Sequence, residues 1–123
     1  MLDDLKIPDT LPTEAEEQER LVKALRAEGI AVFAVPNGGR RGKLEAIRMK
    51  RQGVAAGVPD LVLPGPDPRW RCLAIELKRQ KGGRVAPEQE DWHRVLRSCG
   101  WKVLVCYGAA DACAQLRALG VLG

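Results

Sequence analysis

Two acidic residues and one lysine occur where apolar residues predominate. Asp60 lies within the run GVPDLVL at residues 57–63, and Glu76 and Lys78 lie within the run LAIELK at residues 73–78. Charged groups in apolar surroundings are costly unless they bind a partner. Because hard divalent cations prefer carboxylate oxygens, we expect a metal ion held by Asp60 and Glu76, with the Lys78 ammonium beside it.

The two runs predict an antiparallel hairpin. Residues 64–69, PGPDPR, separate them and have the composition of a turn. Side chains alternate along a strand, so Glu76 and Lys78 are expected on one face and Ile75 and Leu77 on the other.

The remaining apolar patterns predict the elements around this hairpin. Residues 1–12 are expected to form an N-terminal arm, and residues 13–123 a single domain. Thr13 and Glu16 make a capping box that begins the first helix, which Gly29 ends. Further elements are predicted in this order: a strand at 30–35, a helix at 44–52, the hairpin, a helix at 87–98, a strand at 101–107 and a helix at 109–119. This order indicates an α/β fold with a mixed sheet flanked by helices.

Helical periodicity assigns an inward stripe to each helix. The residues expected to face inward are Leu21, Val22, Ala24, Leu25, Leu44, Ile47, Trp92, Val95, Leu96, Cys99, Ala112, Cys113, Leu116 and Leu119. The only histidine, His93, has no histidine or cysteine at ligand spacing. It is expected on a solvated helix face, not as a catalytic base.

Composition excludes several classes of protein. Of the 123 residues 46% are hydrophobic, which suffices for a core and argues against disorder. No apolar run reaches transmembrane length, and no signal peptide precedes the acidic N-terminus. The four cysteines form no C-x-x-C pair and have mostly apolar neighbours. They are expected to be reduced and buried, which predicts a cytoplasmic protein.

The charge distribution is asymmetric. The net charge is +4, but residues 1–28 hold eight acids and four bases, whereas residues 40–84 hold twelve bases and four acids. A basic surface around an acidic pair fits a bound polyanion. Two basic, glycine-rich loops and the helix after the first loop supply candidate nucleic-acid contacts. These are Asn37, Gly38, Arg40, Arg41, Lys43, Arg48, Arg79, Lys81 and Arg84.

Several segments together resemble a known nuclease family. They are VPNGGRR at 35–41, Ala46, GVAAGVPDL at 53–61, IELK at 75–78, PEQ at 87–89 and Gly100. Asp60 and the Glu76-Leu77-Lys78 tripeptide have the form PD…ExK. The combination resembles a VRR-NUC domain, the virus-type replication-repair nuclease branch of the PD-(D/E)xK superfamily. The resemblance covers about residues 13 to 115, looks like the stand-alone phage or prophage form, and implies a restriction-endonuclease-like core.

The resemblance also implies a role for each matching residue. Asp60 and Glu76 match the metal-binding carboxylates, and Leu77 the residue whose main-chain carbonyl completes the metal shell. Lys78 matches the catalytic lysine, and Gln89 the glutamine that opens the following helix. The glutamate of the N-terminal helix that holds a metal or its water matches Glu14, with Glu17 as the alternative.

The implied activity is Mg²⁺- or Mn²⁺-dependent hydrolysis of DNA phosphodiesters by a homodimer, with no organic cofactor and no membrane partner. Branched DNA such as a Holliday junction is the implied substrate. Two alternatives remain open: a non-catalytic nucleic-acid-binding module on the same fold, and a protein whose ion cluster is only a buried salt-bridge network.

Overall fold

The computed structural model describes residues 10–36 and 42–123, in which helices and strands follow the predicted order. The strands are β1 (Phe33–Ala34), β2 (Leu61–Pro64), β3 (Cys72–Lys78) and β4 (Lys102–Tyr107). The helices are α1 (Glu14–Ala27), α2 (Lys43–Arg51), α3 (Pro87–Ser98) and α4 (Ala109–Ala118). Residues 37–41 of the first basic loop and residues 1–9 of the arm lie outside the described residues.

The strands form one mixed sheet in the order β1-β2-β3-β4. β2 pairs antiparallel with both β1 and β3, and Leu61 lies opposite Ile75, so the predicted hairpin is confirmed. β3 pairs parallel with β4. Parallel neighbours need a crossover connection, and α3 provides it. The prediction of an α/β fold with a mixed sheet flanked by helices is confirmed.

The two faces of β3 have different roles. Leu73, Ile75 and Leu77 belong to the apolar core, which Leu21 of α1 and Leu116 of α4 complete. Because side chains alternate along a strand, the buried residues Glu76 and Lys78 belong to the opposite face. Gln89 and His93 of α3 contact Glu76, so α3 lies over this second face.

Local sequence explains where two of the helices begin. Thr13 caps α1: its Oγ1 accepts a hydrogen bond from the Glu16 amide at 3.1 Å, and Glu16 Oε1 accepts one from the Thr13 amide at 2.8 Å. The predicted capping box is therefore confirmed. Pro87 occupies the first turn of α3, where its missing N–H removes no helical hydrogen bond.

Several expectations about burial are wrong. α2 buries none of its residues, and Leu44 and Ile47 are 80% and 48% exposed. On α3 the expected apolar stripe is not buried, since Trp92 and Leu96 are half-buried and Val95 and Cys99 are exposed. His93 is the buried residue of this helix. Helical periodicity identified apolar stripes, but it does not say whether another element covers them.

Smaller corrections concern β1, α1 and the cysteines. β1 has two residues in place of the predicted six, and Ala24 of α1 is exposed. The four cysteines are free thiols, but only Cys106 is buried, while Cys99 is exposed. None of the helices in the described part of the chain is both long and apolar enough to cross a membrane.

Candidate active site

The hairpin brings two buried carboxylates together at one end of the sheet. Asp60 directly precedes β2 and is 8% exposed, and Glu76 of β3 is 1% exposed. Since Leu61 pairs with Ile75, Asp60 lies one position beyond the last pair, beside Glu76. The Leu77 amide donates a 2.7 Å hydrogen bond to Asp60 Oδ2. The backbone of β3 therefore fixes the orientation of Asp60 toward its neighbour.

The electrostatics of this pair are unfavourable when no cation is present. The pKa of Glu76 is raised to about 9, mainly by burial and also by the charge of Asp60 and a hydrogen bond between the two carboxyl groups, against an opposing effect of Lys78. Two carboxyl groups in hydrogen-bond contact share a proton because like charges at that separation repel. A divalent cation would remove this repulsion.

Gln89 links the lysine to the glutamate. Lys78 Nζ donates to Gln89 Oε1 at 2.9 Å, and Gln89 Nε2 donates to Glu76 Oε2 at 3.0 Å. The Ala86 amide also donates to Gln89 Oε1, at 2.7 Å, which ties the glutamine to the start of α3. Lys78 Nζ lies 3.8 Å from Glu76 Oε2. The structure thus brings together the side chains of Asp60, Glu76, Lys78 and Gln89.

His93 also contacts this group, which the sequence analysis missed. It is 3% exposed, and its Nε2 lies 3.3 Å from Glu76 Oε1. Burial, reinforced by the nearby Arg97 charge, lowers its pKa. The expectation of a solvated histidine is therefore wrong. One signal was present in the sequence: Gln89 and His93 are four residues apart, so on a helix they share a face.

The structure separates the two glutamates proposed for α1. Desolvation and the charge of Asp60 raise the pKa of Glu14, while Lys78, Arg79 and a hydrogen bond from the Arg79 backbone oppose the shift. Glu14 is thus close to the carboxylate pair. Glu17 is 1% exposed and accepts hydrogen bonds from Gln80 Nε2 at 2.7 Å and the Ala109 amide at 3.1 Å. Its carboxylate joins α1 to the chain after β3 and to the start of α4.

Two glycines allow the backbone to approach this site closely. At Gly57, with φ of +93°, a Cβ would lie 2.6 Å from the Glu88 carbonyl oxygen, so the segment before Asp60 packs directly on the first turn of α3. At Gly83 a Cβ would lie 2.8 Å from the Lys78 Cβ. The second basic loop therefore folds back against Lys78.

The candidate nucleic-acid contacts divide into three groups. Arg79, Lys81 and Arg84 are exposed in the loop that folds against Lys78. Lys43 and Arg48 are exposed on α2. Asn37, Gly38, Arg40 and Arg41 lie outside the described residues.

The donor set fits a hard divalent cation, although the protein groups alone are not gathered as a preformed cluster. Across residues 10–36 and 42–123, no three His, Cys, Asp or Glu side chains lie close enough to one another to hold a metal ion. The buried Asp60–Glu76 pair interacts electrostatically with Glu14. All of these donors are oxygen atoms, as Mg²⁺ and Mn²⁺ prefer. A cation would also neutralise two carboxylates that otherwise share a proton.

Comparison with known proteins gives a consistent result. The sequence model of the VRR-NUC domain matches residues 11–110. A solved structure titled "VRR_NUC domain protein" is similar over 87% of each chain, with a TM-score of 0.73 and 22% sequence identity. That likeness shows a shared fold. A search of curated protein sequences found no significant match.

Proposed function

The chain belongs to the VRR-NUC domain family of nucleases, and we propose that it is a metal-dependent, structure-selective DNA endonuclease. The observation that carries this proposal is the buried Asp60–Glu76 pair, with Lys78 and Gln89 linked to it by hydrogen bonds. Two buried carboxylates in contact are costly in a protein that binds no cation. In a phosphodiesterase the same pair serves as the metal site.

We propose that Asp60, Glu76 and the main-chain carbonyl of Leu77 hold Mg²⁺ or Mn²⁺, and that Glu14 holds a second ion or a metal-bound water. A bound divalent ion supplies an activated water and neutralises charge on the scissile phosphate. The hydrogen bond from the Leu77 amide keeps Asp60 directed toward this position. Glu14 is supported over Glu17 because Glu14 interacts electrostatically with Asp60 and Glu76, whereas Glu17 is held by Gln80 and by the Ala109 amide at the start of α4.

Lys78 and Gln89 act on the substrate side of the proposed mechanism. Lys78 is 7% exposed, and its ammonium lies beside Glu76, where it can stabilise negative charge that develops on the phosphate. Gln89 accepts from Lys78 and donates to Glu76, so a single amide sets the position of both groups. It therefore orients the lysine relative to the metal ligand.

The proposed substrate is branched DNA, with Holliday junctions as a candidate. Arg79, Lys81 and Arg84 contact backbone phosphates next to the cleavage site, because their loop folds back on Lys78. Lys43 and Arg48 extend this contact along α2, together with Asn37, Gly38, Arg40 and Arg41. Phosphate contacts of this type carry no sequence information, which suits recognition of DNA shape.

We further propose that the enzyme is a homodimer whose interface centres on the apolar residues of α2 and leaves Lys43 and Arg48, one helical turn from them, at its rim. Leu44 and Ile47 protrude from α2. Other residues of α2 and of the segment after it line a hollow of about 500 Å³, among them Ala46, Met49 and Val54. In a two-fold interface one surface meets itself, so the protruding residues of one protomer can fill the hollow of the other. Such a dimer would present two active sites to the two sides of a junction.

The nuclease proposal is tested by incubating the protein with a four-way junction, a splayed arm, a nicked duplex and an intact duplex. Each substrate is assayed with Mg²⁺, with Mn²⁺ and with EDTA. We expect metal-dependent cleavage of a branched substrate and no cleavage in EDTA. Asp60→Asn is the matched inactive variant, because asparagine keeps an acceptor for the Leu77 amide but removes the charge.

The outcomes distinguish the proposal from its alternatives. Cleavage of all four substrates contradicts structure selectivity but supports a nuclease. Tight binding of DNA without cleavage in either metal favours a non-catalytic binding module. Loss of the folded circular dichroism spectrum in both Asp60→Asn and Glu76→Gln favours a buried ion network that only maintains the fold.

The dimer proposal is tested by light scattering after size exclusion. The wild-type protein is expected to have twice the mass of the 13.5 kDa chain, and Leu44→Glu is expected to be a monomer. Val95→Ala, at an exposed apolar position on α3, is the control and should leave the mass unchanged. A monomeric wild-type protein contradicts the proposal.

A further inference from the structure

His93 and Gln89 hold the two oxygens of one carboxylate. Gln89 Nε2 lies 3.0 Å from Glu76 Oε2, and His93 Nε2 lies 3.3 Å from Glu76 Oε1. Both residues belong to α3 and are four positions apart, so they extend from the same helix face. Side chains from one helix, α3, therefore contact both oxygens of the Glu76 carboxylate.

The backbone of Glu76 is fixed as firmly as its carboxylate. β3 is an interior strand, paired with β2 on one side and with β4 on the other, where Glu76 lies opposite Val105. With the main chain held by the sheet and both oxygens held by α3, the carboxylate plane has little freedom to rotate. A metal ligand that is already oriented loses less conformational entropy on binding.

We propose that His93 is a positioning residue, which orients Glu76 for the metal by donating a hydrogen bond from Nε2–H to Oε1. This inference rests on the proposed function, since it assigns a role toward a metal held by Glu76. A metal-bound carboxylate is ionised and only accepts hydrogen bonds. In the metal-loaded protein the proton of the imidazole is therefore on Nε2. Partners of this kind, behind the direct ligands, set metal affinity by about 10- to 100-fold.

The first test compares Mn²⁺ affinity by isothermal titration calorimetry in the wild type, His93→Leu, His93→Gln and Val95→Ala. Leucine fills much of the same volume but cannot donate, so we expect Mn²⁺ to bind about 10- to 100-fold more weakly. Glutamine keeps an N–H donor, so we expect it to restore most of the affinity. Val95→Ala changes an exposed residue of the same helix and is expected to match the wild type.

The second test uses the wild-type protein, so it does not depend on the folding of a variant. His93 is the only histidine of the chain, so its imidazole nitrogens give a single set of NMR signals. In the Mg²⁺-loaded protein, two-bond ¹H–¹⁵N correlations are expected to show the tautomer protonated on Nε2. A neutral ring protonated on Nδ1 overturns the proposal, whatever the variants do.

The tests separate failure of this inference from failure of the proposed function. If the wild type binds neither Mn²⁺ nor Mg²⁺, the proposed function fails and the inference fails with it. If the wild type binds Mn²⁺ and His93→Leu binds it as tightly as Val95→Ala, only the positioning role is overturned. A metal-free melting temperature that falls in His93→Leu with unchanged Mn²⁺ affinity identifies a purely structural histidine.

Discussion

At the scale of single residues, Glu76 shows the conflict between stability and function most directly. Its pKa in the folded protein is raised to about 9, against an ordinary value of 4.5, mainly because the side chain is buried. Between these two values the folded state binds a proton that the unfolded state has released. The contribution of Glu76 to the free energy of unfolding is therefore fully present below pH 4.5 and is lost as the pH rises toward 9.

We therefore predict that metal-free protein becomes less stable between pH 5 and pH 8. The loss attributable to Glu76 is about 4 kcal/mol in the free energy of unfolding, because nearly three pH units each contribute about 1.4 kcal/mol. Urea unfolding in EDTA measures it. Glu76→Gln should flatten this dependence, and Glu16→Gln, which changes an exposed glutamate of the α1 capping box, should retain it. Equal slopes in all three proteins would contradict the prediction.

Glu14 and Glu17 show how neighbouring residues of one type acquire different roles. Glu17 is buried and accepts hydrogen bonds from Gln80 and from the Ala109 amide. Glu14 is exposed, but it interacts electrostatically with Asp60 and Lys78. Positions three apart differ by about 60° around a helix and by about 4.5 Å along it, so the two side chains meet different neighbours.

We predict that alanine at Glu17 lowers the stability of the fold, whereas alanine at Glu14 weakens metal binding. Glu17→Ala leaves the partly buried Ala109 amide without its acceptor, which should cost about 1–3 kcal/mol of stability. Glu14→Ala should leave the melting temperature nearly unchanged and weaken Mn²⁺ binding and cleavage. Thermal unfolding and calorimetry measure the two effects. A stable Glu17→Ala variant with weakened Mn²⁺ binding would reverse the assignment.

The sequence predicted these residues unevenly. Asp60, Glu76 and Lys78 stood out because charge among apolar neighbours is costly, and that cost is visible without coordinates. His93 was assigned wrongly because a histidine suits a solvated helix face as well as a buried hydrogen bond. Only its distance to Glu76, across 17 residues of chain, separates the two cases.

At the scale of elements, the contact between Gly57 and α3 determines how the site is assembled. The segment that carries Asp60 and the helix that carries Gln89 touch backbone to backbone at this glycine. Any side chain there would push the two elements apart. A shift of α3 would move Gln89 away from Lys78 and Glu76, to which it is hydrogen-bonded.

We predict that Gly57→Ala loses more cleavage activity than its loss of stability explains. Gly53→Ala is the matched control, because Gly53 has a similar φ of +99° but no atom within 4 Å of its Cβ position. Both variants carry the backbone strain of a positive φ, about 1 kcal/mol. Only Gly57→Ala adds the collision with Glu88. Equal activity of the two folded variants would show that this contact does not position the site.

The sequence predicted whether each segment is a helix or a strand better than it predicted which of their residues are buried. The order of helices and strands, the hairpin and the capping box are confirmed because each depends on local sequence. The predicted burial of α2 was wrong, because Leu44 and Ile47 have the spacing of a buried stripe but are exposed. Such spacing is compatible with a core and with an uncovered surface.

At the scale of the whole molecule, charge is the property that concerns DNA. The chain has a net charge of +4, and its bases are concentrated between residues 40 and 84. Within that stretch, Lys81 and Arg84 are exposed in the loop that folds against Lys78. Neutralised phosphates release counterions, so each contact contributes to the salt dependence of binding.

We predict that Lys81→Ala with Arg84→Ala weakens binding to all DNA sequences alike and reduces the slope of log K against log salt by about two. Fluorescence anisotropy over a salt series measures this slope. The control, Lys23→Ala with Arg117→Ala, removes the same charge from exposed positions on α1 and α4. A similar change of slope in both double variants would indicate that net charge governs binding, and not a contact of Lys81 and Arg84 with DNA phosphates.

The proposed catalytic group is nearly contiguous along the chain. Asp60, Glu76, Lys78, Gln89 and His93 all fall between residues 60 and 93, on β2, β3, α3 and the segments beside them. Closing short loops costs little entropy, so this hairpin and helix can associate early in folding. We therefore expect this part of the site to assemble before α1, from a distant part of the sequence, docks and adds Glu14.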